Sequence, residues 1–364
     1  MINKSILHLG SPLDRIGVGQ VFNGDAPWDI KIHNYPAMAA AALRGSLGLG
    51  EAYMDGVWDC DELDTLFSRL AKHLPNGFTI LSQLRGMITN GSKRAAFDVG
   101  AQHYSIGNDL YEAMLDRRMT YTCALWDDAG NLDQAQESKL ARTARKLELE
   151  PGMRVLDIGS GWGSMLGYMR ETYDVRATGL TVSKAQAEYA NERYNRDGLC
   201  ETLLKDYRDL APTTRFDRIV SIGMFEHVGH RAYRTFFERA NALLVPGGIL
   251  LLHTITSPEK HAAPDPWTTT YIFPNSEIPG ECAIMAAAES LFRLEHAENL
   301  GGKNYDKTLM AWWHYFDHAY KTGRIDNAKY NTRFYRMWQL YLRAAAGNMR
   351  AEKMGVHQFK FRKI

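Results

Sequence analysis

From about residue 150 onward the chain alternates between two kinds of apolar pattern. RVLDIG, VRATGLT, ETLLKDY, FDRIVSIGM and GILLLHT are short, nearly continuous apolar runs, whereas SMLGYMRETY, SKAQAEYANERYN and RAYRTFFERANALL repeat apolar residues at helical spacing. Strands apolar on both faces, separated by helices, predict a parallel sheet covered on both sides and hence an α/β domain. Near the end, HQFKFRK alternates with period two and reads as an antiparallel edge strand. NYDKTLMAWWHYFDHAYK and FYRMWQLYLRAAAGNM are aromatic-rich helices, which puts a helical insertion at about 268–350.

The first part is patterned differently. DAPWDIKIH alternates like a strand from Trp28 through Ile32, AMAAAALRGSLGLGEAYMDG reads as helix, glycine-rich turn and second short helix, and DELDTLFSRLAKHL as a helix opened by acidic residues. Asn90-Gly91-Ser92 supplies turn chemistry before two basic residues. The expected organisation is a small N-terminal mixed α/β domain over 1–88, a linker over 89–100 and a catalytic domain over 101–364.

Composition narrows the classes. Lys+Arg number 43 and Asp+Glu 42, so charge offers no basis for nucleic-acid binding. Cys60, Cys123, Cys200 and Cys282 are scattered without C-x-x-C pairing, which argues against a zinc site or disulfide framework and fits a reducing cytosol. No run approaches the roughly 18–20 apolar residues that span a bilayer, and the apolar patch in MINKSILHLGSPLDR is too brief for a signal-peptide core.

VLDIGSGWG (155–163) marks a strand-to-helix junction where glycines let the backbone approach a ligand at a helix N-terminus. A tight turn without a ligand would look similar. The spacing, however, is G-x-G-x-G after Asp157, and no Asp or Glu occurs between Val175 and Ala187, where a dinucleotide fold would bind its ribose. Thr181 and Gln186 are the polar groups available there instead.

Other segments place polar residues among apolar or aromatic ones: QHYSIGNDLYEAMLDRRMTYTCALW (102–126), DYRDL (206–210), SIGMFEHVG (221–229) and LLHTI (251–255). Together with GLTVSKAQ and NYDKTLMAW, these strings resemble the cyclopropane-fatty-acyl-phospholipid synthase family and its mycolic-acid cyclopropane synthase relatives. The resemblance runs from about Asp25 to the end. GDAPWDIKIHN and GSLGLGEAYMDGVWD are similar to the bacterial phospholipid enzymes rather than the shorter mycolic-acid ones. It implies a Rossmann-like class I S-adenosylmethionine-dependent methyltransferase fold. Ser160 stands where many relatives carry cysteine, and Ala345 where some do.

The implied reaction adds a methylene from S-adenosylmethionine across the cis double bond of an unsaturated phospholipid acyl chain. Attack by the alkene leaves a carbocation, and loss of a proton from the transferred methyl closes the ring. Such a site must stay dry, favour a cation and hold a base near the new methyl. Tyr121, Tyr305, Trp312 and Phe225 are candidate aromatic faces. The resemblance implies bound bicarbonate as the base, held by Cys123 (largely through its backbone N–H), Glu226, His253, Ile255 (backbone) and Tyr305. Glu226 as the base without an anion is the open alternative. The cofactor residues implied are Tyr121, Thr122, Gly159, Ser160, Gly161, Thr181, Gln186 and Tyr207, with Tyr207 beside the adenine. No metal is expected.

The substrate's double bond lies inside a leaflet, so the expected protein is cytoplasmic, bound peripherally to the inner face of the membrane, and a homodimer. Arg85, Lys93, Arg94, Arg350 and Lys353 are candidate headgroup contacts, although scattered cations are usually just solvated surface. Competing readings are formation of methyl-branched acyl chains, small-amine N-methylation, and a lipid-binding protein on an inactive scaffold. A pure N-methyltransferase has less use for Cys123, His253 and Tyr305 together.

Overall fold

The computed structural model describes residues 24–73, 106–211 and 213–364. The expected break and linker, with Arg85, Lys93 and Arg94, lie outside them.

The chain begins with β1 (Lys31–Ile32), α1 (Tyr35–Ala42), α2 (Gly45–Met54), β2 (Trp58–Asp59) and α3 (Leu63–His73). β1 and β2 pair antiparallel, so the DAPWDIKIH alternation yields only a two-residue strand. Asn34 caps α1, its Oδ1 accepting from the Ala37 N–H at 3.1 Å, and Pro36 occupies the first turn, where no amide donor is needed.

Next come α4 (Asn108–Met114), α5 (Leu132–Leu147), β3 (Arg154–Ile158), α6 (Ser164–Tyr173), β4 (Arg176–Thr181), α7 (Lys184–Tyr194), β5 (Cys200–Leu204), β6 (Phe216–Ile222), α8 (Tyr233–Leu243) and β7 (Leu244–Thr256). A small hairpin of β8 (His261–Ala262) and β9 (Ile278–Pro279) brackets α9 (Pro266–Tyr271). The chain closes with α10 (Glu281–Ala288), β10 (Phe292–Asn299), α11 (Gly302–Lys321), α12 (Thr332–Arg350) and β11 (Gly355–Lys363).

The main sheet has the order β10-β11-β7-β6-β3-β4-β5. Its five apolar runs are parallel, as their pattern predicts, and β11 and β10 are antiparallel. Two expectations change. HQFKFRK is antiparallel but interior, because β10 pairs on its outer side. β10 lies inside the stretch expected to be helical; it is an exposed edge strand, FRLEHAEN, and therefore lacks the apolar signal of a buried one.

Alternation along the strands sorts the two cores. Val155, Ile249 and Leu251 face α5 and α6, while Leu156, Leu250 and Leu252 face α8 and α10. A third cluster joins residues of 24–73 (Met38, Tyr53, Trp58, Leu63, Leu66) to Trp312, Phe316 and Trp338 of α11 and α12. The first segment thus shares its core with the helical cap over the sheet. At the contact, Gly347 of α12 comes so close to α3 that a Cβ there would lie 2.2 Å from the Asp64 carbonyl. Asp64 accepts from Arg343 Nη2 at 2.5 Å and pairs with Arg350 Nη1 at 2.9 Å.

Candidate active site

The glycine-rich loop expected to bind the cofactor sits where β3 ends and α6 begins. Gly159, Gly161 and Gly163 all have positive φ (87°, 55° and 86°), which explains the three glycines in GSGWG. The Gly159 and Ser160 amides donate to the Leu180 carbonyl at 3.0 and 2.9 Å, tying the loop to the end of β4. A cavity opens over this loop, and all eight residues expected around the cofactor line it: Tyr121, Thr122, Gly159, Ser160, Gly161, Thr181, Gln186 and Tyr207. Thr181 Oγ1 donates to Gln186 Oε1 at 2.7 Å, making a buried neutral pair where a dinucleotide fold carries an acid.

α5 supports this cavity from behind through residues the sequence analysis passed over. Gln136, Lys139, Thr143 and Lys146 fall on one helical face, and the first three are fully buried or nearly so. Gln136 Nε2 donates to the Thr122 carbonyl at 2.8 Å, and Lys139 Nζ to Thr122 Oγ1 at 2.9 Å. Lys139 and Asp157 both line the cavity. Burial raises the Asp157 carboxyl to about 7, against the pull of the Lys139 charge. Burial likewise lowers the Lys139 ammonium to about 8. The available signal was a polar stripe at helical spacing inside an otherwise apolar helix face, Leu132, Ala135, Leu140, Ala144 and Leu147.

Beyond the cavity, β6 ends in the turn carrying Glu226, and β7, its parallel neighbour, carries His253 and Ile255. Glu226 Oε1 accepts from the Ile255 N–H at 2.7 Å, while Oε2 is buried without a hydrogen-bond partner. The amide expected to contact an anion is therefore engaged by the carboxyl. Burial raises the Glu226 pKa above the usual carboxylate range, with the Ile255 amide opposing. His253 is 2% exposed, and burial together with the nearby lysines holds its ring neutral, well below the usual imidazole pKa. Cys123 is 1% exposed, and burial pushes its thiol up to about 12, so it stays protonated.

Residues 123–126 are clamped to α11. Thr308 Oγ1 accepts from the Ala124 amide and Trp126 Nε1 at 3.1 and 3.0 Å, and Asn304 Oδ1 from the Trp126 amide at 2.9 Å. The same helix brings Tyr305 against the cluster containing Cys123 and Ile255. Trp312 lies 4.9 Å from Tyr121 and 6.1 Å, edge-on, from Tyr305 (centroid distances), and Tyr121 Oη is 2.8 Å from Tyr341 Oη. Three of the four aromatic candidates thus meet. Phe225 does not: it is stacked on Tyr233 at 4.5 Å in the core beneath α8. Adjacent residues of a tight turn point in different directions, and Glu226 takes the direction toward β7. His227, missed in the sequence, lines the same cavity as the glycine loop, and burial holds its ring neutral with a pKa of about 4.

His230, His261 and Glu277 also place ligand-type atoms within 4.8 Å of one another. Glu277 already accepts from the His230 amide (3.0 Å), His230 Nδ1 (2.8 Å) and Tyr233 Oη (3.2 Å). The two imidazoles stack at 4.6 Å with planes 10° apart, so no point within bonding distance lies in both planes. The group works as a clasp holding the β9 segment to the turn before α8. Arg350 is likewise committed, bonding Asp306 at 2.8 and 3.0 Å as well as Asp64, whereas Lys353 is exposed.

A family model described as mycolic acid cyclopropane synthetase matches residues 91–359. The cyclopropane-fatty-acyl-phospholipid synthase of Escherichia coli (strain K12) is 46% identical over 357 residues, 96% of this chain and 91% of that one. Cyclopropane mycolic acid synthase 1 of Mycobacterium tuberculosis (strain ATCC 25618 / H37Rv) is 34% identical over 280 residues, 72% of this chain and 95% of that one. The crystal structure of mycolic acid cyclopropane synthase CmaA1 complexed with SAH and CTAB superposes with a TM-score of 0.66 at 32% identity, covering 73% of this chain and 98% of that one.

Proposed function

The chain belongs to the mycolic acid cyclopropane synthetase family, and from that premise we propose that it forms cyclopropane rings on unsaturated phospholipid acyl chains. It is an S-adenosylmethionine-dependent transferase, and the phospholipid as substrate is supported by similarity that extends over its first segment. The observation that carries ring closure is the buried Glu226 carboxyl with one oxygen unpartnered. A group that removes a proton from the new methyl separates ring formation from N-methylation, which needs none there.

Bound S-adenosylmethionine supplies an electrophilic methyl. The G-x-G-x-G loop, the Thr181–Gln186 pair and Tyr207 hold the cofactor, and the Thr122 segment, braced by Gln136 and Lys139, closes over it. The faces of Tyr121, Tyr305 and Trp312 favour the cation that develops on the acyl chain, and fully buried Trp312 with partly buried Tyr121 and Tyr305 limits the water that would trap it. Glu226, its proton affinity raised by burial, receives or relays the proton. A bicarbonate ion fits the same residues: the unpartnered Glu226 Oε2, neutral His253, the Cys123 backbone and Tyr305 would hold it, and it would supply the basic oxygen. Ile255 acts on it through Glu226. Cys123, kept as a thiol, adds no charge against an anion.

For membrane docking, the best-placed surface is α1, whose Leu43 flank is 90% exposed beside exposed Tyr35, Ala39 and Ala40. No helix among the described residues is long and apolar enough to cross a membrane.

The test is incubation of the full chain with S-adenosylmethionine and vesicles of a cis-monounsaturated phospholipid, with and without added bicarbonate. A gain of one CH2 with upfield ring protons by NMR supports the reading, and dependence on bicarbonate supports the anion. The same gain without ring protons would replace ring closure by methyl or methylene branching. No gain, with cofactor bound, would redirect the search to small amines.

A further inference from the structure

Four residues line up across the sheet: Glu298 of β10 opposite Gln358 of β11, Gln358 opposite His253 of β7, and His253 opposite Ile222 of β6. β11 could carry any apolar residue at its fully buried central position, yet it carries a glutamine that is 0% exposed. A buried amide is costly unless every group on it is used, and here the partners admit one arrangement.

Lys146 Nζ lies 2.6 Å from one terminal atom of the Gln358 side chain, and an ammonium has only hydrogens to offer. That atom is therefore the carbonyl oxygen. The amide nitrogen then faces Thr143 Oγ1 at 3.0 Å and His253 Nδ1 at 3.2 Å. Thr143 spends its own hydrogen on the Lys139 carbonyl at 2.8 Å, so it accepts from the amide. The second amide hydrogen points to Nδ1, which must present its lone pair. Lys146 is itself anchored by Glu298, whose other oxygen accepts from Arg142 Nη1 at 2.9 Å.

We propose that Gln358 is a positioning residue for the reaction: held in one orientation by Lys146, it fixes His253 in the neutral tautomer whose proton sits on Nε2. The consequence is a permanent N–H donor on the ring edge away from β11, with no basic nitrogen there to take a proton in competition with Glu226. A histidine without this tie would divide between tautomers and present a lone pair for part of the time. The inference rests on reading His253 as a donor at the proton-accepting site, but the tautomer is measurable without any reaction.

Long-range 15N–1H correlation spectra of the full chain labelled at histidine distinguish a protonated ring nitrogen from a bare one. The His253 signals are identified by their loss in His253→Asn. The expected result is a bare Nδ1 and a protonated Nε2, unchanged between pH 6 and pH 8. A protonated Nδ1, or a titration in that range, would overturn the proposal whether or not rings form.

Gln358→Glu keeps the size and the Lys146 contact but turns the donor into an acceptor. It should move the ring proton to Nδ1 and lower kcat at saturating lipid and cofactor by at least about tenfold, by analogy with the lower end of the loss when a hydrogen-bond partner behind a metal-ligating histidine is removed. The S-adenosylhomocysteine Kd should stay within about twofold, which reports an intact fold. Unchanged kcat with a shifted tautomer would also overturn the positioning role. Absence of rings with the wild-type chain would instead refute the proposed function and leave the tautomer result standing.

Discussion

Glu226 Oε1 takes the Ile255 amide hydrogen at 2.7 Å, and Oε2 takes none. One oxygen anchors the carboxyl to β7 and the other is the proton acceptor in the proposed reaction. Replacing Glu226 by Gln keeps the anchor and removes the proton acceptor. Ring formation should fall by about 10²- to 10⁴-fold, the usual contribution of a positioned acid or base, with S-adenosylhomocysteine binding by calorimetry little changed. Retained activity would remove Glu226 from the mechanism.

Asp157, raised to about 7 by burial, is largely protonated in the ligand-free protein below that pH. S-adenosylhomocysteine brings an ammonium group, and a nearby ionised carboxylate favours it. Affinity should therefore fall as pH drops from 8 to 6, by up to about tenfold per unit below the folded pKa. Calorimetry in buffers of different ionisation enthalpy should show proton release on binding near neutral pH. Asp157→Asn should flatten the profile.

A Cβ at Gly159 would sit 2.6 Å from Met224 Cβ on a backbone with φ of 87°. Gly159→Ala should shift the loop, at a cost of about 1–2 kcal/mol for the left-handed conformation alone. The S-adenosylhomocysteine Kd should rise at least about tenfold while far-ultraviolet circular dichroism stays the same.

The guanidiniums of Arg343 and Arg350 hold the Asp64 carboxyl below its usual range even though burial opposes them. Because the folded pKa is depressed, the stabilisation is complete above the unfolded value of about 3.9 and is lost as pH falls through the folded one. Asp64→Asn should cost about 2–3 kcal/mol at pH 7, somewhat less than a fully enclosed pair. In denaturant titrations the deficit should shrink toward pH 3. An equal deficit at both pH values would rule out the ion pair as its source.

Gly347→Ala tests the same contact by size instead of charge. The added methyl meets the α3 backbone at 2.2 Å, which cannot rotate away. The expected loss is about 1–3 kcal/mol, with faster proteolytic release of the first segment than of the sheet domain.

The sequence by itself determined the alternating core of the fold and the position of its glycine-rich turn. Strands β3 to β7, the helices between them and the glycine turn follow from patterns a few residues long, and such patterns suffice because helix and buried parallel strand impose different periods on neighbouring residues. The residues that the family resemblance implies around the cofactor line one cavity, several of them at strand ends that the topology gathers on one edge. Tertiary structure decided what depends on partners far away in the chain. Gln358 and His253 are 105 positions apart, and only the register of β11 against β7 makes them neighbours. Phe225 was separated from Tyr121, Tyr305 and Trp312 by the direction of one turn, and Arg350 was drawn from the surface by Asp64 and Asp306. An exposed edge strand such as β10 carries no apolar signature, so its place was set by pairing with β11 alone. Local preference fixes which elements form; register and packing choose which side chains meet, because a shift of one residue turns a strand's side chains to the opposite face.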